Sequence, residues 1–267
     1  LKESRRAGVS VIRSEVSGIK QAPDGGFVLS MQNPDDDIAC EQLVLAAGPF
    51  IGELAEMIGI SLPLENVLQQ KFVIPDPLKI IPRDMPFTIV ADPQRLQWSE
   101  EERELIADDP EFAELLEEFP AGLHIKPESG DQIKLGWAFN RQLQEPLRNP
   151  ASDERFPEIV MRGAQRFIPA LEPYVHDLPS PVYSFAGYYT RTPENLPLIG
   201  PLGVENAFIV SALAGFGTMA ACAAAELCGA WLTGSQLPEY SGIFSPLRYE
   251  DPQIMAEINK VQSDGQL

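Results

Sequence analysis

Residues 207–234 read AFIVSALAGFGTMAACAAAELCGAWLTG. The apolar run Ala207–Ala212 fits a buried strand, and Ala214-Gly215-Phe216-Gly217 fits a glycine turn. Met219–Leu232 has the small-residue composition of a helix that stops at Gly234. A strand that turns straight into a helix leaves the first helical N–H groups without partners and adds the positive end of the helix dipole. Such a place holds an anion or an electron-rich carbonyl. Gly215 and Gly217 are expected to let a flat ligand approach the backbone. Ala220, Ala221, Ala223, Ala224 and Ala225 are expected to let the helix lie close on a sheet. An ordinary tight strand-to-helix turn gives the same pattern, so this stretch alone names no ligand.

Working outward, Val182–Tyr189 and Leu196–Ile199 read as strands that precede this unit. At the other end of the chain, Val9–Ile19 and Phe27–Met31 are expected as strands around the turn Asp24-Gly25-Gly26. A polar turn at Asn33–Asp37 follows. Gln42–Ala47 then fits a fully buried parallel strand, and Ile51–Ile58 a helix ending at Gly59. Between these α/β ends the character changes. Val67–Ile74 reads as a strand, Leu123–Lys126 with Gln132–Phe139 as a hairpin, and Phe156–Phe167 as a helix. No internal repeat is visible.

With 267 residues, 44% of them hydrophobic, the chain can bury a sizeable core. No uninterrupted apolar run reaches the roughly 18 residues of a membrane helix. Leu1–Gly8 reads as the end of a helix with a glycine cap, and an upstream segment is expected. The net charge of −19, from 20 basic and 39 acidic residues, disfavours nucleic acid and anionic lipid as partners. Much of the acid lies in residues 99–118, expected as a solvated helix pair with Ser99 and Glu102 as a capping box. A docking site for a basic partner is the other reading of that segment. Cys40, Cys222 and Cys228 show no metal or disulfide spacing. They point to a reducing, cytoplasmic-type compartment. His124 and His176 are too few for a metal centre or a serine triad.

Ala186–Gly200 (AGYYTRTPENLPLIG), followed by the buried strand and glycine turn, resembles the carboxyl-terminal part of FAD-dependent D-amino-acid, glycine and sarcosine oxidases. Leu43–Glu53 (LVLAAGPFIGE) resembles that family's V-x-A-A-G-x-W segment. Gly8-Val9, Val16 and Gln70-Lys71 fall on further family positions. The likeness runs over nearly the whole chain and is weakest from Pro75 to Gly122. It implies an α/β FAD-binding domain, residues 1–63 with 182–267, interleaved with an α+β substrate domain, 64–181, on a mostly antiparallel sheet. The family's G-x-G-x-x-G loop does not occur in these 267 residues, so the FAD domain is incomplete and the chain by itself is expected to hold FAD weakly.

The resemblance also implies site residues. Val16 would touch the adenine side, and Ala46, Ala47 and Gly48 the phosphate and ribitol region. Gly215, Phe216, Gly217, Thr218 and Met219 would approach the pyrimidine edge of the isoalloxazine. Gly187 stands where sarcosine oxidase has its flavin-linking cysteine, so FAD is expected to be non-covalent. Lys134, in Ile133–Trp137 (IKLGW), matches a lysine that promotes reduction of dioxygen by a fixed positive charge; a hairpin surface lysine is the plainer reading. Trp137, Tyr188 and Tyr189 are expected pocket walls, with core packing as the alternative for the first two. Met219 and Phe216 replace a lysine and a histidine of sarcosine oxidase. Arg191 lies on the same strand face as Tyr189 and is expected either to clamp a substrate carboxylate or to pair at the surface.

The function implied is oxidation of a C–N bond in an amine or amino acid, with hydrolysis of the imine and transfer of electrons to dioxygen. Two other readings stand beside it. One is a dehydrogenase that passes electrons to a quinone or protein. The other is a flavin-free remnant with a binding role. No metal is expected, and the sequence leaves the oligomeric state open.

Overall fold

The computed structural model describes residues 2–33, 35, 37–110 and 112–261. The strands are Val16–Gln21 (β1), Phe27–Met31 (β2), Ile38–Cys40 (β3), Leu43–Leu45 (β4), Glu65–Pro75 (β5), Thr88–Ile89 (β6), Gln94–Arg95 (β7), Glu118–Phe119 (β8), His124–Pro127 (β9), Gln132–Gly136 (β10), Tyr183–Arg191 (β11), Leu198–Pro201 (β12) and Ala207–Ser211 (β13). The helices used below are Lys2–Arg6 (α1), Ile51–Glu56 (α2), Glu100–Asp108 (α3), Phe156–Phe167 (α4), Glu172–His176 (α5) and Gly217–Thr233 (α6). The described residues form two compact units, 2–64 with 190–261, and 65–189.

The first unit holds an antiparallel sheet β1-β2-β3 and a second sheet in the order β12-β13-β4. In the latter, β13 runs parallel to β4, with Phe208 opposite Val44 and Ile209 opposite Leu45. Leu43, Leu45, Ala207 and Ile209 turn one face into a core shared with Ile51, Ala55 and Phe27. The opposite face receives α6 through Ala224, Leu227 and Cys228, packed with Ile199, Phe208 and Val210. α6 ends at Gly234, whose left-handed φ of 62° closes the last turn.

Three expectations change here. β1 begins at Val16, and Val9, Val11 and Ile12 are more than half exposed. β-branched residues make a strand only where a neighbour takes their backbone hydrogen bonds. β4 is an edge strand and is buried on one face only, with Val44 38% exposed. On α6, Ala224 alone of the five alanines is buried. Ala221, Cys222, Ala223 and Ala225 are exposed, so most of the alanines do not serve close packing and Cys222 is not packed as a small hydrophobe. By length and composition alone, Ala214–Thr233 is apolar enough to cross a membrane.

The second unit is built on a five-stranded sheet in the order β11-β5-β10-β9-β6, antiparallel at β5/β10, β10/β9 and β9/β6. Register fixes its two faces. Leu135 stands opposite Phe72 and Ile125, and Ile133 opposite Ile74. These residues are fully buried and pack with Val160, Met161 and Ala164 of α4. Gly163 lets α4 come close, since a Cβ there would lie 2.6 Å from Leu123 and 2.7 Å from Trp137. The other face carries Lys71, Val73, His124, Lys126, Lys134 and Gly136.

The capping box at the start of α3 is present: Glu102 N donates to Ser99 Oγ (3.2 Å) and Ser99 N to Glu102 Oε2 (2.7 Å). Arg162 of α4 also donates to Glu102 at 2.6 Å and lies over the Trp98 ring. The second expected acidic helix is a short 3-10 turn, Ala113–Leu116, pinned by buried Leu115. Glu111, Pro34 and Asp36, parts of the expected acidic segment and polar turn, lie outside the described residues, as do 262–267 of the polar tail.

Candidate functional site

In the first unit, two adjacent parallel strands end side by side. Ala46, Ala47 and Gly48 follow β4, and Ala212–Met219 follow β13. The crevice beyond the carboxyl ends of parallel strands is where α/β sheets bind their ligands. The turn after β13 is made by alanines, not by its glycines. Ala212 and Ala214 hold φ of 57° and 45°, whereas Gly217 has an ordinary helical φ of −49°. Each left-handed alanine costs on the order of 1–2 kcal/mol, and such strain collects at functional loops. A short 3-10 turn, Ala214–Phe216, then leads into α6. The N-terminus of α6 has no side-chain cap and no acidic residue in its first turn. Its N–H groups and dipole are therefore open to an acceptor. Ala46, Gly48, Phe216, Thr218 and Met219 are exposed around it, Met219 by 74%. These residues fit the edge of a flat, electron-rich cofactor such as FAD. Val16 lies elsewhere, at the start of β1, against the core of the same unit.

In the second unit, the sheet divides the expected substrate residues between its faces. Lys134 projects away from Ile133 and Leu135, as alternation requires, and shares a groove of about 540 Å³ with Lys71, Val73, Tyr183 and Phe185. Its ammonium lies 3.0 Å from Glu128 Oε2, and Lys126 lies 3.2 Å from the same oxygen. Those two lysines, Lys134 first, hold the Glu128 carboxyl below its usual range. By strand alternation Tyr189 and Gly187 follow Tyr183 and Phe185 onto this face. A Cβ at Gly187 would meet nothing within 4 Å.

Trp137 and Tyr188 are on the opposite face. Trp137 is fully buried among Phe119, Phe139 and Leu123, and its indole donates to Pro120 O at 2.9 Å. Tyr188 accepts from Leu147 N at 3.1 Å. Both border a second, more polar cavity of about 900 Å³ with Gln70, Asn140 and Phe156. The structure thus does not bring Trp137 and Tyr188 together with Lys134. Arg191 is the last residue of β11.

Two residues on the Lys134 face carried no role in the sequence reading. Burial, and then the charge of Lys134, push the Lys71 ammonium below its ordinary value. His124 is buried, and its Nδ1 lies 3.0 Å from Gly122 O. Burial lowers its pKa first, opposed by the Gly122 hydrogen bond, and the charges of Lys71 and Lys134 lower it further. The ring is therefore neutral at pH 7, with Nδ1–H donating to Gly122 and Nε2 left as a bare acceptor. That Nε2 has no partner among the described residues. The alternation Lys71, Val73 against Phe72, Ile74 was the available signal for Lys71.

The parallel pair β4/β13, the tight turn and the uncapped α6 make up an α/β unit with an open helix end beyond its strands. Residues 1–231 match the DAO family model, FAD dependent oxidoreductase, and the chain belongs to that family. Mouse mitochondrial dimethylglycine dehydrogenase is 26% identical over 248 residues, 88% of this chain and 25% of that protein. Iminodiacetate oxidase from Chelativorans sp. BNC1 superposes with a TM-score of 0.66 at 12% identity, covering 92% of this chain and 56% of the other. Glycine oxidase from Geobacillus kaustophilus gives 0.62 at 17% identity, covering 87% and 51%. The chain therefore spans a quarter of the curated relative and just over half of these solved structures.

Proposed function

We propose that this chain is part of an FAD-dependent enzyme that oxidises a C–N bond of an amine or amino acid, with the imine then hydrolysed. The observation that carries this reading is the uncapped end of α6 beside Ala46–Gly48, at the carboxyl ends of β4 and β13, in a chain of the FAD-dependent oxidoreductase family. When bound, FAD supplies the two-electron acceptor. The chain's own residues present N–H groups to its electron-rich edge. FAD is held without a covalent link, because Gly187 offers no nucleophile. The three free cysteines support a reducing, cytoplasmic-type compartment.

Dioxygen is proposed as the final acceptor, with Lys134 supplying positive charge where oxygen is reduced. A dehydrogenase is the second reading, favoured by one observation: Lys134 is already paired with Glu128. The test is a screen of amines and amino acids on the full-length protein with FAD. One arm reads peroxide release, and the other reads bleaching of an artificial electron acceptor under nitrogen. Peroxide with turnover supports the oxidase. Turnover only with the artificial acceptor supports the dehydrogenase. A colourless protein that oxidises nothing in either arm overturns both.

A further inference from the structure

Between the end of β10 at Gly136 and the start of α4 at Phe156, residues 137–155 form no helix or strand of their own. A connection this long inside a compact unit is uncommon and is usually a functional loop. The loop is pinned to β5 at two places. At the near end Gln69 Nε2 donates to Asn140 O at 2.8 Å, Asn140 Nδ2 to Leu68 O at 2.9 Å, and Gln144 N to Asn66 O at 2.9 Å. At the far end Asp153 N donates to Gln70 Oε1 at 2.8 Å.

The span between the pins, residues 145–152, forms part of the wall of the cavity of about 900 Å³, through Leu147, Pro150 and Ser152. Trp137 and Tyr188 in the same wall put this cavity on the sheet face away from Lys134. Glu145, Leu147, Arg148, Asn149 and Ala151 are exposed, Leu147 by 62%. Pro146 and Pro150 have no N–H to give to a neighbouring strand. A segment that buries so little apolar surface opens at low cost. At its middle, Leu147 N donates to Tyr188 OH at 3.1 Å and so ties the span to β11. That bond joins two neutral groups, and its net contribution is modest.

We propose that residues 145–152 are a lid over this second cavity, hinged at the Gln144 and Asp153 pins and held shut by the Tyr188 latch. Lifting the span admits small molecules to a chamber of ligand size that is separate from the Lys134 groove.

The test uses the full-length holoprotein carrying Ser152→Cys, an exchange of one atom that puts a thiol in the cavity wall. Its labelling by N-ethylmaleimide, read peptide by peptide by mass spectrometry, reports how often the span lifts. Adding Tyr188→Phe should quicken that labelling, and trypsin cleavage after Arg148, by about two- to tenfold, the effect of one lost hydrogen bond. Leu147→Pro removes the donor of the same bond and should act alike. Labelling of Cys228, buried in the other unit, and amide exchange at Gln144 and Asp153 should keep the parent rates. Unchanged labelling at position 152 in both variants overturns the latch. Exchange at Gln144 and Asp153 that quickens with it means that the whole loop melts, and overturns the hinges. Faster labelling of Cys228 in one variant leaves the decision to the other. In both variants it means that the bond supports the fold and not a lid, and the proposal fails.

Discussion

Arg248 and Glu194, 54 positions apart, form a buried ion pair in which Nε donates to Oε1 at 2.9 Å. Their side chains are 0% and 6% exposed. Arg248 also donates to Pro197 O at 2.7 Å and Ile243 O at 3.0 Å. It thereby fastens residues 241–250 to the Thr192–Pro197 turn. Breaking one side of such a pair leaves a buried charge alone. Arg248→Met should lower stability by about 3–5 kcal/mol, read as a lower urea midpoint at unchanged slope. A loss under about 1 kcal/mol, the range of an exposed pair, would show that the pair is dispensable.

Tyr174 closes a second buried cluster. Its hydroxyl donates to Asp76 Oδ1 at 2.6 Å and accepts from Leu78 N at 2.9 Å, while Asp76 also receives Ile80 N and Ile81 N. Burial, and then this bond, push the Tyr174 pKa up to about 12. Tyr249, half-buried and donating to Glu194, is also pushed up to about 12. Between pH 10 and about 12 the unfolded chain loses these protons while the folded one keeps them, so stability should fall as pH rises through that window. Tyr174→Phe should cost about 1–3 kcal/mol at neutral pH and make the alkaline decline shallower. An unchanged slope would argue against the assignment.

His124 works in the opposite direction. Its folded pKa lies below the ordinary value of 6.5. As pH falls through 6.5 the unfolded chain takes up a proton that the folded chain refuses, and stability is lost down to the folded pKa. His124→Gln should flatten that part of the melting-temperature profile. The same acid-side slope in both proteins would place its origin elsewhere.

Lys134→Met should slow the reaction of the reduced enzyme with oxygen by roughly 10² to 10³, the effect of about 3–4 kcal/mol of lost charge stabilisation. Oxidation of substrate should change much less. Stopped-flow measurement of each half-reaction on the full-length protein separates the two. Equal oxygen rates in mutant and parent would transfer the assignment to the dehydrogenase reading.

Acid precipitation of the full-length holoprotein should release all of its colour into the supernatant, since Gly187 carries no nucleophile. A yellow pellet would contradict non-covalent binding.

Elements whose hydrophobic pattern is matched to a packing partner were legible in the sequence. Phe156–Phe167 and Phe27–Met31 have the expected limits, and Ala207–Ser211 ends one residue early. The capping box at Ser99 was legible because it is a local hydrogen-bond pattern. Val9–Glu15 was misjudged because propensity says nothing about whether a partner strand exists. The outward alanines of α6 were misjudged because small residues suit an exposed helix as well as a close-packed one. At the site, the parity of Lys134 was readable from Ile133 and Leu135. That Trp137 lies beneath the sheet from it follows from the same parity, but resemblance placed both near one pocket. Glu128 reaches Lys134 through the hairpin turn, and His124 meets Lys71 across Gly136. Both relations arise from cross-strand register, which no single-strand pattern contains.

Among the described residues β4 pairs with β13 alone, and Val44 beside its open backbone edge is 38% exposed. An open strand edge presents backbone N–H and C=O groups that a strand from another molecule can take up. A preparation of these 267 residues alone will therefore be governed by how crowded the tube is. Dilute samples should stay clear, whereas concentrating them should bring turbidity well below any thermal transition, and a charged residue in place of Val44 should delay it.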